Sequence, residues 1–301
     1  MTAKLLVTGA SGFVGARVLR LLQGSDVEVI ALGRHAPDEA MRPLARRWIE
    51  ADVMEHGAEV IRRERPERVL HLAWDTRHGL YWHSKENLLW VAATARMIDA
   101  FAESGGQRFV LAGSCAEYQW GGAEDFLEDA TPLAPATLYG AAKKASGELL
   151  LSAAAQFGFG AAIGRIFFCY GEGEHKDRFV SYICRQLARG VDADITTGTQ
   201  SRDFMHADDV ASGLIALLES DLQGAVNVCS GQARTLLEIA DAAGRIAGAP
   251  QLIRPGARPE RAGDPARIVG DSTRLRGTGW APRVDLDSGI ARLLRSFETN
   301  A

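Results

Sequence analysis

Short apolar runs alternate with stretches of helical periodicity through the first 168 residues of the chain. Apolar runs at residues 4–8, 69–73 and 108–113 have the length of buried strands, and the alanine-rich residues 140–157 have the length of a helix. Strands that alternate with helices form parallel sheets with helices on both faces. The pattern therefore predicts an α/β fold built on a doubly wound parallel sheet.

Beyond residue 171 this alternation ends. Residues 179–189 are amphipathic and residues 208–219 are helical, whereas the apolar residues 225–229 are expected to rejoin the sheet. The change in pattern predicts two units. They are a main domain of residues 1–168 plus 205–230, and a smaller, discontinuous C-terminal lobe of residues 169–204 plus 231–301.

Three glycines spaced by three follow the first strand directly. A strand, a glycine turn and a helix are the context of a dinucleotide fingerprint, because glycines let backbone N–H groups approach a pyrophosphate. The helix N-terminus adds a partial positive charge. The main domain is thus expected to be a Rossmann domain, whose turn contributes Gly9, Ser11, Gly12, Phe13, Val14 and Gly15 to the cofactor site.

The end of the second strand indicates which dinucleotide is bound. An acidic residue there would bind the ribose hydroxyls of NAD, but the strand at residues 27–32 is followed by Gly33 and Arg34. A guanidinium suits bidentate contacts with phosphate, so Arg34 is a candidate partner for a 2′-phosphate. The sequence favours NADP(H), with NAD(H) as the alternative.

Tyr139 and Lys143 are four residues apart and therefore share one face of a helix, for which Thr137 is a candidate N-cap. A free tyrosine titrates near ~10, and an adjacent lysine cation favours the phenolate. Tyr139 is therefore expected to exchange a proton with a substrate oxygen near neutral pH. Ser114 stands at the C-terminal end of a predicted strand, where ligands of open α/β sheets bind.

Residues 8–15 together with Ser114, Tyr139 and Lys143 resemble the extended branch of the short-chain dehydrogenase/reductases, the NAD-dependent epimerase/dehydratase family. The resemblance implies that Tyr139 is the general acid or base. It implies that Ser114 hydrogen-bonds the reacting oxygen and that Lys143 holds the nicotinamide ribose. Further cofactor contacts implied by the resemblance come from Asp52, Val53, Leu72, Ala73, Trp74 and Asn87.

The segment after Ser114 distinguishes the reactions of this family. The 4,6-dehydratases resemble Thr-Asp-Glu there, whereas Cys115 and Ala116 are uncharged and Glu117 stands one position too far along. A dehydratase is therefore disfavoured. The segment is most similar to reductases that act on nucleoside-diphosphate 4-keto-6-deoxy sugars.

Two arginines stand in segments that resemble the substrate-diphosphate contacts of these families, and the arginine fork suits phosphate. Phe168 departs from the family pattern, because its position usually holds an asparagine near the substrate phosphate. The predicted substrate residues are Thr76, Ser114, Glu117, Tyr118, Phe168, Arg202 and Arg261.

The resulting hypothesis is NADPH-dependent reduction of the C4 ketone of a nucleoside-diphosphate-4-keto-6-deoxyhexose, with Tyr139 as general acid. An NAD-dependent sugar-nucleotide epimerase is one alternative, although Arg34 speaks against it. A reductase of a non-nucleotide ketone or aldehyde is another, because Phe168 removes a polar contact. A non-catalytic NADP-binding regulator is disfavoured, since a sensor needs no Ser-Tyr-Lys set.

The composition limits the partners. A formal net charge of -4 predicts no nucleic-acid surface. The four cysteines lack metal-ligand spacing, which predicts no metal site and suits a reducing cytosol. With no leader-like segment and no apolar run of ~18 residues, we expect a cytoplasmic protein without a membrane partner. The resemblance implies a homodimer packed through helices at residues 85–104 and 138–157.

Overall fold

The computed structural model describes residues 3–122 and 124–298. The strands are β1 (Lys4–Thr8), β2 (Glu28–Gly33), β3 (Arg47–Glu50), β4 (Arg68–His71), β5 (Arg108–Ser114), β6 (Gly160–Ile166), β7 (Phe168–Tyr170), β8 (Ala193–Asp194), β9 (Ser201–Arg202), β10 (Phe204–His206), β11 (Gly224–Val228), β12 (Arg234–Thr235), β13 (Ile253–Arg254) and β14 (Arg267–Ile268). The helices are α1 (Gly15–Leu22), α2 (Val53–Glu64), α3 (Glu86–Glu103), α4 (Leu138–Phe157), α5 (Phe179–Ala188), α6 (Ala207–Glu219), α7 (Leu236–Ile246), α8 (Thr273–Arg276) and α9 (Leu286–Glu298).

Seven of these strands form one parallel sheet in the order β11-β6-β5-β4-β1-β2-β3. Thr8, at the end of β1, pairs with Leu32 of β2 on one side and with His71 of β4 on the other. The strand order reverses beside β1, and ligands of doubly wound sheets bind at this switch point. The glycine turn follows β1 directly and therefore lies at the switch point.

Helices cover both faces of the sheet. Leu5 and Val7 of β1 pack with buried residues of α1 and α6, whereas Leu6 packs with buried residues of α2, α3 and α4. This alternation is the period of two expected of a strand. It confirms the doubly wound architecture that the apolar pattern predicts.

A separate apolar cluster joins α5, α7 and α9, with Tyr170 and Ile253 among its buried members. Short strand pairs connect this part of the chain: β8 with β13, and β9 with β12 and β14. β11 returns to the large sheet beside β6, as the apolar residues 225–229 predict. The division into two lobes with the boundaries given above stays a prediction.

Candidate active site

The glycine turn can form only with glycine at positions 9 and 15. Gly9 has φ +65°, and a Cβ atom there would lie 2.8 Å from the backbone nitrogen of Ala73 at the end of β4. A Cβ atom on Gly15 would overlap the carbonyl oxygen of Gly9. The N–H of Gly12 donates to that same carbonyl at 2.9 Å. The turn leads into the N-terminus of α1, where the helix dipole favours an anion, so this cradle fits the pyrophosphate of a dinucleotide.

Arg34 directly follows β2, beside the glycine turn. A Cβ atom on Gly33 would lie 3.2 Å from the Ser11 hydroxyl, so the two segments touch. Arg34 is exposed and makes no ion pair with residues that the structure describes. The nearby Asp38 carboxylate instead accepts a hydrogen bond from the Met41 backbone at 2.8 Å. Arg34 is therefore a cationic side chain at this strand end that has no ion-pair partner among the described residues.

Asp52 and Asn87 have partners within the protein. Asp52 is the N-cap of α2, where its carboxylate accepts from the Met54 N–H at 2.7 Å. The buried Asn87 amide donates to the carbonyls of Tyr81 and Ser84 at 2.7 and 2.9 Å. Val53 is buried at the start of α2. Contacts of these residues with a cofactor stay predictions.

The Ser-Tyr-Lys residues converge at the C-terminal edge of the sheet. Ser114 ends β5, and the Tyr139 and Lys143 side chains lie on the buried face of α4. The Ser114 hydroxyl lies near enough to Tyr139 to influence its pKa. The Lys143 ammonium donates to the Ala112 carbonyl of β5 at 2.8 Å and lies 5.9 Å from the centre of the Tyr139 ring. As predicted, Thr137 caps α4 by accepting from the Gly140 N–H at 3.1 Å.

The pKa of Tyr139 shifts in the opposite direction from the one that the sequence predicts. Burial raises the pKa of Tyr139 well above its usual value, and the nearby Ser114 hydroxyl opposes that rise only in part. Burial also lowers the pKa of Lys143 to about 7. The predicted lowering of the Tyr139 pKa by Lys143 is therefore wrong for the protein without ligands, because desolvation outweighs it. Tyr139 is a protonated phenol at neutral pH.

Aromatic residues from the segment after β4 cover Tyr139. The ring centres of Tyr81 and Trp82 lie 4.8 and 5.6 Å from that of Tyr139, both edge-on. The Tyr139 N–H donates to the Trp82 carbonyl at 3.1 Å. Trp120 packs edge-on against Trp82 at 6.0 Å. These aromatic rings bury Tyr139 and contribute to the desolvation that raises its pKa.

The two arginines that the sequence predicts to bind the substrate diphosphate differ in their exposure to solvent. Arg202 is buried, and its guanidinium makes an ion pair with Asp264 at 2.8 Å. The same guanidinium also donates to the carbonyls of Ser201 and Pro265. Arg261 is exposed, three residues before Asp264. The guanidinium carbon of Arg202 lies 5.8 Å from the centre of the Phe168 ring, so the unusual phenylalanine and this arginine are neighbours.

Residues 5–229 match the sequence model of the family described as "NAD dependent epimerase/dehydratase family". The chain belongs to this family. It is 28% identical to the GDP-6-deoxy-D-mannose reductase of Pseudomonas aeruginosa, over 99% of this chain and 98% of that protein. It is 29% identical to the UDP-glucose 4-epimerase of Corynebacterium glutamicum, over 93% of this chain and 91% of that protein.

Solved structures of the epimerase/dehydratase family superpose closely on this protein. MoeE5 in complex with UDP-glucuronic acid and NAD is 27% identical, with a TM-score of 0.85 over 99% of this chain and 100% of that chain. The UDP-glucose 4-epimerase of Thermotoga maritima, solved with UDP-glucose, is 20% identical, with a TM-score of 0.87 over 99% of both chains. The second likeness concerns the fold alone.

Two residues assigned to the substrate on sequence grounds are interior structural residues in this member of the family. One oxygen of the Glu117 carboxylate accepts from the Ser114 N–H at 2.8 Å, and the other pairs with Arg165 at 2.8 Å. The Tyr118 hydroxyl donates to Asn227 at 2.7 Å and accepts from Arg165 at 3.0 Å. Their polar atoms have partners inside the protein, and binding of substrate by Glu117 and Tyr118 stays a prediction.

Arg178 is a residue near the site that the sequence analysis missed. It is the N-cap residue of α5, and its guanidinium lies 5.9 Å from the centre of the Tyr81 ring and donates to the Thr76 carbonyl at 3.5 Å. The only signal in the sequence is a cation at the start of an amphipathic helix, which is too common to identify a site. The contact joins the segment that covers Tyr139 to the C-terminal part of the chain.

No helix in residues 3–122 and 124–298 has the length and apolar character needed to cross a bilayer. The same residues contain no cluster of three or more His, Cys, Asp or Glu side chains arranged to hold a metal ion.

Proposed function

We propose that the protein catalyses the NADPH-dependent reduction of the C4 ketone of a nucleoside-diphosphate-4-keto-6-deoxyhexose. The observation that carries this proposal is the convergence of Ser114, Tyr139 and Lys143 at the C-terminal edge of the sheet, where the glycine turn also lies. Tyr139 is a buried phenol, and a phenol suits the proton donor that reduction of a ketone needs.

The proposed roles follow from the positions of the three side chains. A bound NADPH supplies a hydride to C4 of the sugar. The Tyr139 hydroxyl donates its proton to the C4 oxygen, and the Ser114 hydroxyl donates a hydrogen bond to the same oxygen. The Lys143 cation, held by the Ala112 carbonyl, binds the nicotinamide ribose and stabilises the phenolate left on Tyr139. That phenolate then recovers a proton from solvent, and the product is the C4 alcohol.

Arg34 supports NADPH as the reductant. It is exposed and directly follows Gly33, which lies against Ser11 of the glycine turn, and no residue described in the structure forms an ion pair with it. An arginine at this place accommodates a 2′-phosphate, whereas NAD needs an acidic partner for its ribose hydroxyls. MoeE5 was solved with NAD, so a preference for NADPH would distinguish the present protein from it.

The substrate class rests on two observations. Cys115 and Ala116, which follow Ser114, are buried and carry no carboxylate that would assist elimination of water. The relative that is 28% identical over almost the full chain is a GDP-6-deoxy-D-mannose reductase. We propose that Arg202 and Arg261 bind the diphosphate, which requires that Asp264 release Arg202 when substrate enters. Phe168 would then contact the nucleotide through its ring.

An NAD-dependent sugar-nucleotide epimerase is the second candidate, and the 29% identity to a UDP-glucose 4-epimerase favours it. The two reactions differ in how they use the cofactor. A reductase consumes NADPH stoichiometrically, whereas an epimerase oxidises and reduces the same carbon and leaves its NAD unchanged.

The decisive experiment is to incubate the purified protein with NADPH or NADH and a panel of nucleoside-diphosphate-4-keto-6-deoxy sugars while recording the nicotinamide absorbance. Stoichiometric loss of NADPH with one sugar, abolished in the Tyr139→Phe variant, supports the proposal. No consumption, combined with interconversion of nucleoside-diphosphate hexoses by protein that carries NAD, supports the epimerase.

We also propose that the protein is a cytoplasmic homodimer. Leu88 and Leu89 of α3 are 58% and 59% exposed, and Leu149 of the adjacent α4 is 46% exposed. Such leucines on two neighbouring long helices suit an isologous helix-to-helix contact. Sedimentation equilibrium tests this: a mass of one chain, unchanged by Leu89→Glu, contradicts it.

A further inference from the structure

The Lys143 ammonium is a buried cation without a counterion. It is 3% exposed, and it makes no ion pair with any residue in the described part of the chain. Its amine donates to the Ala112 carbonyl at 2.8 Å. A buried ammonium with one neutral acceptor loses its proton readily, because burial disfavours the charged form. The groups around the amine therefore determine how much of it stays charged at neutral pH.

The face of the Trp74 ring lies against this ammonium. The distance from the Lys143 amine to the ring centre is 3.9 Å, within the ~6 Å range of cation–π contacts. Tryptophan is the aromatic side chain that attracts a cation most strongly, because of the negative potential on its ring face. The attraction grows when the pair is removed from water, as it is here.

The ring of Trp74 is itself held in orientation from two sides. Its indole N–H donates to the Asn87 side-chain oxygen at 2.9 Å. Its far face stacks on Trp90, with ring centres 5.5 Å apart and an angle of 21° between the planes. The Asn87 amide is anchored in turn by the Tyr81 and Ser84 carbonyls. The indole is therefore a rigid surface rather than a mobile lid.

The other ionisable groups around Lys143 do not replace this contact. His71 is buried with its pKa lowered to about 3 by burial and by the Lys143 charge, so it is neutral and gives no attraction. The charge of the Glu117 carboxylate favours the charged amine, but that carboxylate is already paired with Arg165. Tyr139 is a neutral phenol. The Trp74 face adds a direct contact that favours the charged amine.

We propose that Trp74 is a positioning residue, whose indole face holds the Lys143 ammonium charged and aimed at the cofactor ribose and Tyr139. The effect on catalysis rests on the proposed hydride-transfer function. The contact between the Trp74 ring and the Lys143 amine is present in the protein without ligands. It gives Asn87 the role of orienting Trp74, and a contact of Asn87 with the cofactor stays a prediction.

The test measures the Lys143 titration directly by NMR of protein labelled with ¹³C at the lysine Cε. Assignment is practical because the chain has few lysines: Lys4, Lys85, Lys143, Lys144 and Lys176. Lys143→Met identifies the resonance. We expect Trp74→Leu to lower the pKa of Lys143 by about one unit, since a desolvated cation–π contact is lost. The Trp74→Phe variant keeps a ring face and should recover at least half of that shift. An unchanged pKa in a folded Trp74→Leu variant overturns the proposal.

A second series covers the case in which Trp74→Leu does not fold. Site-specific incorporation of mono-, di- and trifluorinated tryptophan at position 74 weakens the ring-face potential with little change in shape. The Lys143 pKa should fall stepwise with the number of fluorine atoms, and a flat series overturns the proposal. Neither titration needs substrate. The effect of Trp74 on the pKa of Lys143 can therefore be measured even if the wild type fails in the ketoreductase assay. With an active enzyme, the alkaline limb of the kcat/KM profile should move to lower pH by the same amount.

Discussion

Glu117→Ala is the substitution that best distinguishes a structural role of Glu117 from the substrate-binding role that the sequence predicts. Glu117 and Arg165 form a buried ion pair at 2.8 Å, with side chains 1% and 4% exposed. The second carboxylate oxygen of Glu117 accepts the Ser114 N–H, in the capping box of the short 3₁₀ turn at Cys115–Glu117. Replacing Glu117 by alanine therefore leaves a buried guanidinium with only the Tyr118 hydroxyl as a partner.

The expected loss of stability is large. Removing one partner of a buried ion pair costs about 3–5 kcal/mol, because the remaining charge stays buried without compensation. The entropy of unfolding is about 2.1 cal/mol/K per residue, so over this chain the loss corresponds to a fall in Tm of about 5–8 °C. Glu117→Gln should lose less, since an amide oxygen can still accept the Ser114 N–H.

The chain offers a matched control on its surface. Arg62 and Glu103 make the same contact between the same atom types at 2.8 Å, but their side chains are 48% and 57% exposed. An exposed pair contributes about 0–1 kcal/mol, so Glu103→Ala should leave the Tm within about 2 °C of the wild type. Thermal unfolding followed by circular dichroism compares the variants. A wild-type Tm for Glu117→Ala, together with a raised KM for the sugar nucleotide, would refute the structural role and restore a substrate role.

Three further predictions concern catalysis, the cofactor and pH. Tyr139→Phe should lower kcat at least about 10²-fold with an unchanged Tm, as expected for loss of a general acid. Arg34→Ala should weaken NADPH binding much more than NADH binding, measured by fluorescence titration. Burial raises the pKa of Glu174 to about 7 from an unfolded value of 4.5, so its ionisation costs folded-state stability as the pH rises through that interval. Glu174→Gln should therefore raise the Tm relative to wild type more at pH 8 than at pH 5.

Each of these predictions has a clear contrary result. Near-normal turnover of Tyr139→Phe would remove Tyr139 from the chemistry. Equal losses of NADPH and NADH affinity in Arg34→Ala would end the argument for a 2′-phosphate contact. A Tm difference between Glu174→Gln and wild type that is constant with pH would mean that the Glu174 carboxyl titrates normally in the folded protein.

Local patterns in the sequence predict the sheet and the convergence of Ser114, Tyr139 and Lys143. The spacing of Gly9, Gly12 and Gly15 after an apolar run specifies the turn, because a side chain at Gly9 or Gly15 would collide with the backbone. Helical spacing brings Tyr139 and Lys143 onto one face, and the end of a strand presents Ser114 to them. These relations depend on residues that are close in the chain, or on the common edge of a parallel sheet.

Side-chain partners from distant parts of the chain are what the sequence does not reveal. Glu117 pairs with Arg165, 48 residues away, and Arg202 pairs with Asp264, 62 residues away. Either arginine fits a phosphate or a carboxylate equally well until its neighbours are known. The raised pKa of Tyr139 likewise depends on burial by Tyr81 and Trp82, which no periodicity predicts.

Transfer of the cofactor hydrogen to the sugar is the most direct measurement of the proposed reaction. Single-turnover reactions with NADPH deuterated at the nicotinamide C4, one for each face, would be analysed by NMR and mass spectrometry of the product. Ketoreduction predicts one deuterium at sugar C4 per NADPH consumed, from one face only. Product that carries no deuterium, with the NADPH intact, would contradict it.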